Sequence, residues 1–160
     1  MLKIRKNVFE SNSSSSHSLT VDKRGCTGTL EVDGFTNKVI THFGEFGWGY
    51  DEYNDPENKL SYLVTMLVET HSDCLTMEEL CETDDFIAIN EVVAYYCDCD
   101  GILIDEEITE CSWGNYNDHE GYIDHQSVEN IKNLLEYYGC TIEEFIFDEG
   151  IELIIDNDNH

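Results

Sequence analysis

The chain of 160 residues carries 35 acidic and 8 basic side chains, which gives a formal net charge of −27 at pH 7. Proteins that bind nucleic acids neutralise phosphates with lysine and arginine, and anionic membranes attract polybasic segments, so this composition excludes both as direct partners. Apolar residues make up 41% of the chain, too much for a disordered polyanion. We therefore expect one folded acidic domain over residues 1–160.

In chain order, the first predicted element is a strand over Leu2–Phe9, where apolar and polar residues alternate before a serine-rich loop. The Asp-Gly dipeptide at 33–34 predicts a hairpin between two strands. Asp55 followed by Pro56 predicts the N-cap and first position of a helix.

Three further helices are predicted to begin at Thr76, Thr83 and Ser127, because threonine and serine are common N-caps. Ile102–Ile104 and Ile151–Ile155 have the apolar character of buried strands. The predicted fold is a single α+β domain in which a small sheet packs against three or four helices. Because self-repulsion strains a compact acidic fold, we expect bound metal to stabilise it.

The charge is uneven along the chain. Residues 1–24 carry five of the basic side chains and have a net charge of +3, whereas the remaining 136 residues carry −30. A solvated surface is one interpretation of these acidic runs, and a surface that binds a basic protein is the other. The acids that we predict to bind a partner are Asp84, Asp85, Asp105, Glu106, Glu107, Glu143 and Glu144.

The amino-terminal residues are followed by a serine run, where a secretory signal would have an apolar core, so we expect a cytoplasmic protein. A reducing compartment disfavours disulfides, so the seven cysteines are expected to be free thiols or metal ligands.

Two sets of residues are candidate zinc ligands. Glu10 and His17 flank the serine loop between two strands, and Asp124 and His125 precede a predicted helix; carboxylate and imidazole are common zinc ligands. Solvated surface residues are the alternative for both pairs.

The second set combines cysteines with a histidine and could form a tetrahedral zinc site. Its members are Cys97, Cys99, Cys111 and His119. The set lacks the C-x-x-C spacing that would make the assignment strong, and small buried cysteines are the alternative.

Two segments resemble a known family. The sequence IRKNVFESNSSSSHS at 4–18 and the sequence GYIDHQS at 121–127 resemble blocks of small acidic proteins encoded by phages and prophages of Gram-positive bacteria. Within that family the chain is similar to zinc-containing type II-A anti-CRISPR proteins. The resemblance implies a zinc protein in the bacterial cytoplasm that prevents guide-loaded Cas9 from binding target DNA. The zinc ligands that it implies by position are Glu10, His17, Asp124 and His125.

Two functions remain open from the sequence. The first is an acidic inhibitor that occupies the DNA-binding cleft of Cas9 or of another basic nucleic-acid-binding protein. The second is a phage metalloenzyme of hydrolase type, in which the Glu, His, Asp and His ligands leave one metal position open. No nucleophile with a credible base is recognisable in the sequence, so we expect a binding protein and not an enzyme.

Overall fold

The computed structural model of the chain describes residues 4–10, 15–21, 26–71, 76–110, 117–123 and 130–157. The elements are β1 (Ile4–Glu10), β2 (Ser15–Val21), β3 (Val39–Thr41), β4 (Glu45–Phe46), β5 (Asp51–Tyr53), α1 (Pro56–Thr70), α2 (Met77–Glu82), α3 (Asp84–Cys97), β6 (Ile102–Ile104), β7 (Ile108–Glu110), β8 (Asn117–His119), β9 (Tyr122–Ile123), α4 (Ile131–Tyr138), α5 (Ile142–Phe147) and β10 (Ile151–Asn157).

The largest sheet has four antiparallel strands in the order β1-β2-β10-β5. The first and last strands of the chain thus lie in one sheet, with β2 between them. Three two-stranded ribbons complete the strand pairing of the described residues: β3 with β6, β4 with β9, and β7 with β8. The strands predicted near the amino terminus, at 102–104 and at 151–155 are confirmed.

The helix α1 runs through the centre of the core. Its N-cap is Asp55, whose carboxylate accepts a hydrogen bond of 2.8 Å from the N–H of Asn58, and Pro56 is the first helical residue, as predicted. From Lys59 to Val68 almost every residue is buried. A helix that is buried on all sides lies inside a domain, and α1 contacts α3, α4, α5, β3 and β9.

The predicted caps of α2 and α3 are also confirmed. Thr76 and Glu79 form a reciprocal capping box at the start of α2, and the hydroxyl of Thr83 accepts a hydrogen bond from the N–H of Phe86 in α3. The chain leaves α3 through Asp98 in the left-handed conformation and enters β6, where Asn90 Oδ1 accepts a hydrogen bond of 2.7 Å from Ile102 N.

The hairpin predicted around residues 33–34 is wrong. The carboxylate of Asp33 accepts hydrogen bonds from the N–H groups of Phe35 and Thr36, and Asp33 and Lys38 form an isolated bridge around a four-residue turn. The turn is therefore present without flanking hairpin strands. The strand after it, β3, pairs with β6 in parallel.

Two helix predictions are also corrected. The helix α4 begins after Asn130, not Ser127, because the Asn130 side chain accepts the hydrogen bond from Asn133 N that defines the cap. The helix α5 was not predicted, although Thr141 and Glu144 form a capping box there. The described residues thus contain five helices, where three or four were expected.

The predicted α+β class of a small single domain is confirmed, and the contribution of metal to its stability stays a prediction. Within the part of the chain that the structure describes, every helix is too short or too polar to cross a bilayer.

Candidate partner-binding face

The parallel ribbon of β3 and β6 carries an exposed apolar pair. Ile40 and Leu103 lie opposite each other in the register, and their side chains are 41% and 36% exposed, whereas the neighbouring residues of both strands are buried. Parallel strands are usually covered on both faces. This outer face is therefore an unusual place for two aliphatic side chains, and it is a candidate surface for a partner.

A groove rich in carboxylates lies at the carboxyl ends of these two strands. We call it the acidic groove. Its acidic lining residues are Glu45, Asp105, Glu106, Glu107 and Glu120. The groove encloses about 800 Å³, and its remaining lining includes His119 and Gly121. A pocket of this size with so many anionic groups favours a cationic occupant.

Local pairing explains how distant residues reach this groove. The strands β4 and β9 pair in parallel with Glu45 opposite Tyr122. Gly121 has a φ of +84°, and a Cβ at this position would lie 2.4 Å from the Cβ of Phe43. Only glycine lets the two backbones approach this closely, and the approach places Glu120 on the same groove as Glu45.

Two histidines pair with carboxylates at this end of the ribbon. Nδ1 of His42 lies 3.5 Å from Oε1 of Glu106, and Nε2 of His119 lies 3.6 Å from Oε1 of Glu69. Nδ1 of His119 is 2.8 Å from the carbonyl oxygen of Glu120, which can only accept, so Nδ1 carries the proton of that hydrogen bond. Burial raises the pKa of Glu69, and His119 offsets part of this effect.

The lysine side chains that the structure describes lie elsewhere. Lys59 is buried in the core and donates to the carbonyl oxygen of Asp148, and Lys132 lies 3.8 Å from Glu136 on the exposed side of α4. Lys38 is close to the thiol of Cys81 on α2. None of these three lines the acidic groove. Among the described residues, no lysine lines the acidic groove.

Four of the predicted partner-binding acids lie at helix starts. Asp84 and Asp85 are in the first turn of α3, and Glu143 and Glu144 are in the first turn of α5. A carboxylate oxygen of Glu144 accepts a hydrogen bond of 2.9 Å from Thr141 N in the capping box. Negative charge at a helix start stabilises the helix, so these acids have a structural role whether or not they also bind a partner.

The two helix starts are far apart. Near the end of α3, the Tyr96 hydroxyl donates to the carbonyl oxygen of Cys26, whose thiol lies 3.8 Å from the carbonyl oxygen of Glu143 at the start of α5. Asp84 lies twelve residues earlier in α3, which corresponds to about 18 Å along the helix axis. Of the predicted acids, only the triplet at 105–107 lines the acidic groove.

The predicted cysteine set is divided between regions. Cys97 is the last residue of α3, and the thiol of Cys99 lies 3.6 Å from the carbonyl oxygen of Gly101. Burial raises the pKa of the Cys97 thiol, which favours the thiol over the thiolate. His119 contacts Glu69 instead. The fourth member, Cys111, lies outside the described residues.

The other predicted ligand set is described in part. In the antiparallel pairing of β1 with β2, Phe9 is opposite His17 and Glu10 is opposite Ser16. The backbones of Glu10 and His17 therefore lie on neighbouring strands, one register position apart. Two further members, Asp124 and His125, lie outside the described residues.

The side chains of Glu10, His17, Asp124 and His125 lie outside the described side chains. Among the described side chains, no three from histidine, cysteine, aspartate or glutamate converge as metal ligands would. The described residues therefore do not by themselves form the zinc site that the family resemblance implies, and that site stays a prediction for the full ligand sets.

Several groove residues were missed in the sequence. Glu45 and Glu120 are brought to the groove by the pairing of β4 with β9, and Glu69 and His42 contact the groove residues His119 and Glu106 without lining the groove themselves. The parallel pairing of β3 with β6, which exposes the apolar pair, has no short-range signal. Compared with known proteins, the chain matches no family model, no curated protein and no solved structure.

Proposed function

We propose that the protein is a binding module that occupies the basic nucleic-acid-binding cleft of a partner protein, and that this partner is a guide-loaded Cas9-type effector. The observation that carries the proposal is the acidic groove, in which carboxylates from β4, the segment after β6 and the segment before β9 line one concave surface. The family resemblance of the segments 4–18 and 121–127 supports the choice of partner.

The electrostatics of the two surfaces are complementary. A Cas9-type effector holds its RNA–DNA heteroduplex in a positively charged channel and reads the PAM with arginines. Carboxylates that pair with the basic side chains of this channel and with the PAM-reading arginines prevent those side chains from binding phosphates or bases. Such an association is steered by charge, so its rate is high at low ionic strength and falls as salt is added.

Apolar contact area next to the groove supports the same proposal. Charged pairs at an interface rim contribute little affinity, whereas buried aromatic and aliphatic side chains contribute most. Ile40 and Leu103 supply such area on the ribbon, and Phe35 on the preceding turn is 99% exposed. The ribbon thus presents exposed apolar side chains beside an acidic groove at one end, and protein interfaces commonly combine an apolar centre with a polar rim.

Zinc is part of this proposal, as the resemblance implies. Its role would be to hold the amino-terminal strands and the segment after β9 together, with the ligand set Glu10, His17, Asp124 and His125. A bound divalent ion also offsets part of the self-repulsion of a chain with a net charge of −27.

The proposal is tested by competition. Guide-loaded Cas9 is mixed with fluorescent target DNA and increasing amounts of the protein at about 50 mM and about 300 mM salt, and DNA binding is followed by anisotropy. We expect full inhibition at low salt and weaker inhibition at high salt, since the Debye length shrinks. Normal DNA binding by Cas9 beside an excess of the protein at low salt contradicts the proposed function.

A pair of matched variants localises the effect. The triple variant D105N/E106Q/E107Q removes three charges from the acidic groove, and E78Q/E82Q/E91Q removes three exposed charges from α2 and α3. We expect the first variant to lose inhibition and the second to retain it. Equal loss in both would show that net charge alone is responsible, and not the groove.

A further inference from the structure

A second groove runs along β3 on the side away from β6. We call it the β3 groove. It encloses about 460 Å³, within the range typical of ligand pockets. Its floor is apolar and buried, and consists of Leu30, Val39 and Leu60. The first turns of α1 form one wall, and the segment before the Asp33 turn forms the other.

The backbone of β3 presents one open position to this groove. In the ladder with β6, Val39 N donates to the carbonyl oxygen of Gly101 and the carbonyl of Thr41 accepts from Asp105 N. Residues 39 and 41 therefore face β6. The strand alternates, so the N–H and C=O of Ile40 point the other way, towards the β3 groove.

Two hydrogen bonds close the strand edge on either side of this position. The carbonyl of Lys38 accepts from Asp33 N at 2.8 Å, and the carbonyl of His42 accepts from the hydroxyl of Ser61 at 2.7 Å. The edge between them spans about 13 Å. This length admits about three residues of an added strand, centred on Ile40.

The charge of the groove selects its occupant. The charged side chains that line it are Glu31, Asp33 and Glu57, with His42 at one end. Hydrogen bonds from Thr36 and Phe35 hold the pKa of Asp33 below its usual value, so this carboxylate stays ionised well into the acidic range. A cationic residue is therefore complementary to the rim, and an apolar residue to the floor.

We propose that the β3 groove binds a short extended segment of the partner in which arginine or lysine alternates with an aliphatic residue, and that this segment pairs with the backbone of Ile40 as an added strand. Strand addition takes its affinity from main-chain hydrogen bonds and its specificity from alternate side chains. The inference rests on the proposed function in one respect, since the basic partner proposed above would supply the segment.

A synthetic peptide tests the groove without the partner. The probe is a fluorescent pentapeptide of sequence Arg-Val-Arg-Val-Arg, measured by anisotropy against the full-length protein at 150 mM salt. Two further peptides carry N-methyl groups either on the amide of the central arginine or on the amides of both valines. Alternate amides of an added strand face opposite sides, so we expect one methylated peptide to lose about tenfold in affinity and the other to lose little.

This comparison separates strand addition from simple attraction between opposite charges, because both methylated peptides keep the same charge. Equal affinities for the two methylated peptides, or no binding of the parent peptide, overturn the inference. A Glu-Val-Glu-Val-Glu peptide is the control for charge, and we expect it not to bind.

Variants of the protein place the peptide in the groove. E31Q/E57Q removes two rim charges, E82Q/E91Q removes two exposed charges on α2 and α3, and Ile40→Pro removes the N–H that faces the groove without removing a donor from the β3–β6 ladder. We expect E31Q/E57Q and Ile40→Pro to weaken binding about tenfold, and E82Q/E91Q to leave it unchanged. Equal effects of the two double variants contradict the assignment.

The two proposals can fail separately. If the peptide binds the β3 groove but the protein does not inhibit Cas9, the proposed partner is refuted and the assignment of the β3 groove as a peptide site still holds. If the protein inhibits Cas9 but does not bind the peptide, the peptide-binding role of the β3 groove is refuted and the proposed function still holds.

Discussion

The ammonium nitrogen of Lys59 lies 2.9 Å from the carbonyl oxygen of Asp148 inside the core. It also donates to the carbonyl of Ile151 at 3.2 Å, so one side chain of α1 closes the turn between α5 and β10. Lys59 is fully buried, and desolvation lowers its pKa from 10.5 to about 8 although Asp148 opposes the shift. The lysine thus orders this turn at an electrostatic cost.

The first prediction concerns how the free energy of unfolding depends on pH, because the buried Lys59 ammonium is desolvated. Between pH 8 and 10.5 the unfolded chain binds the lysine proton more readily than the folded chain, so stability rises with pH in that window. The lowering of the pKa corresponds to about 3 kcal/mol. We expect the unfolding free energy of the wild type to gain about 3 kcal/mol relative to Lys59→Met between pH 7 and 10.5, by urea denaturation under reducing conditions.

Neighbouring groups do not reverse this prediction. Lys59 lowers the raised pKa values of the Cys26 and Cys140 thiols, so its removal raises them further and moves the difference in the same direction. The carboxylates of Asp148, Asp55 and Glu149 face the ammonium and raise the pKa of Lys59, against the larger effect of desolvation. A difference between wild type and Lys59→Met that is independent of pH would contradict the assigned cost.

The second prediction compares three glycines. At Gly121 an alanine combines a left-handed backbone with a Cβ placed 2.4 Å from that of Phe43, and we expect a loss of about 2–4 kcal/mol. At Gly139 the backbone is also left-handed but the space is open, so about 1 kcal/mol is expected. At Gly34 neither constraint applies, and the change should stay within about 0.5 kcal/mol. Chemical denaturation measures all three, and equal losses would refute the close approach of β9 to β4.

The helix caps of this fold can be predicted from the sequence because each is formed by residues that lie three positions apart in the chain. The pairs Asp55 with Asn58 and Thr83 with Phe86 form the caps that their spacing predicts. The predicted hairpin is not formed because the Asp33 side chain stabilises the turn by itself, without strands on either side. Parallel pairing of β3 with β6 depends on α1 and α3, which lie between them in the chain, so no short pattern encodes it.

The candidate partner-binding face can be predicted only in part from the sequence, because strand pairing brings some of its residues together from distant parts of the chain. The triplet at 105–107 is a visible run of acids and does line a groove, whereas Glu45 and Glu120 are single residues brought there by β4 and β9. An acidic pair at a helix start, such as Glu143 and Glu144, also stabilises the helix through its dipole and a capping box, so the part of these acids in partner binding stays a prediction.

The third prediction concerns zinc. Elemental analysis of the purified protein is expected to find at least one zinc ion per chain, and His17→Ala should lower that content, whereas His71→Ala, an exposed position at the end of α1, should not. Chelation should lower the melting temperature, because a structural ion contributes folding free energy. A zinc content near zero would remove zinc from the proposed function.

The fourth prediction concerns the pair formed by His119 and Glu69. Burial raises the pKa of Glu69 above 4.5, so the folded chain holds this proton more tightly and the contribution of Glu69 to stability falls as pH rises from 4.5 through the folded pKa. His119 limits the shift. In the His119→Gln variant, Glu69 should therefore titrate at a higher pH, measured by carbon NMR of the labelled carboxyl.

His42→Gln, at the other histidine–carboxylate pair, is the matched control and should leave the pKa of Glu69 unchanged. An unchanged Glu69 pKa in His119→Gln would mean that the 3.6 Å pair carries no net interaction, and that the charge of the acidic groove is not coupled to α1.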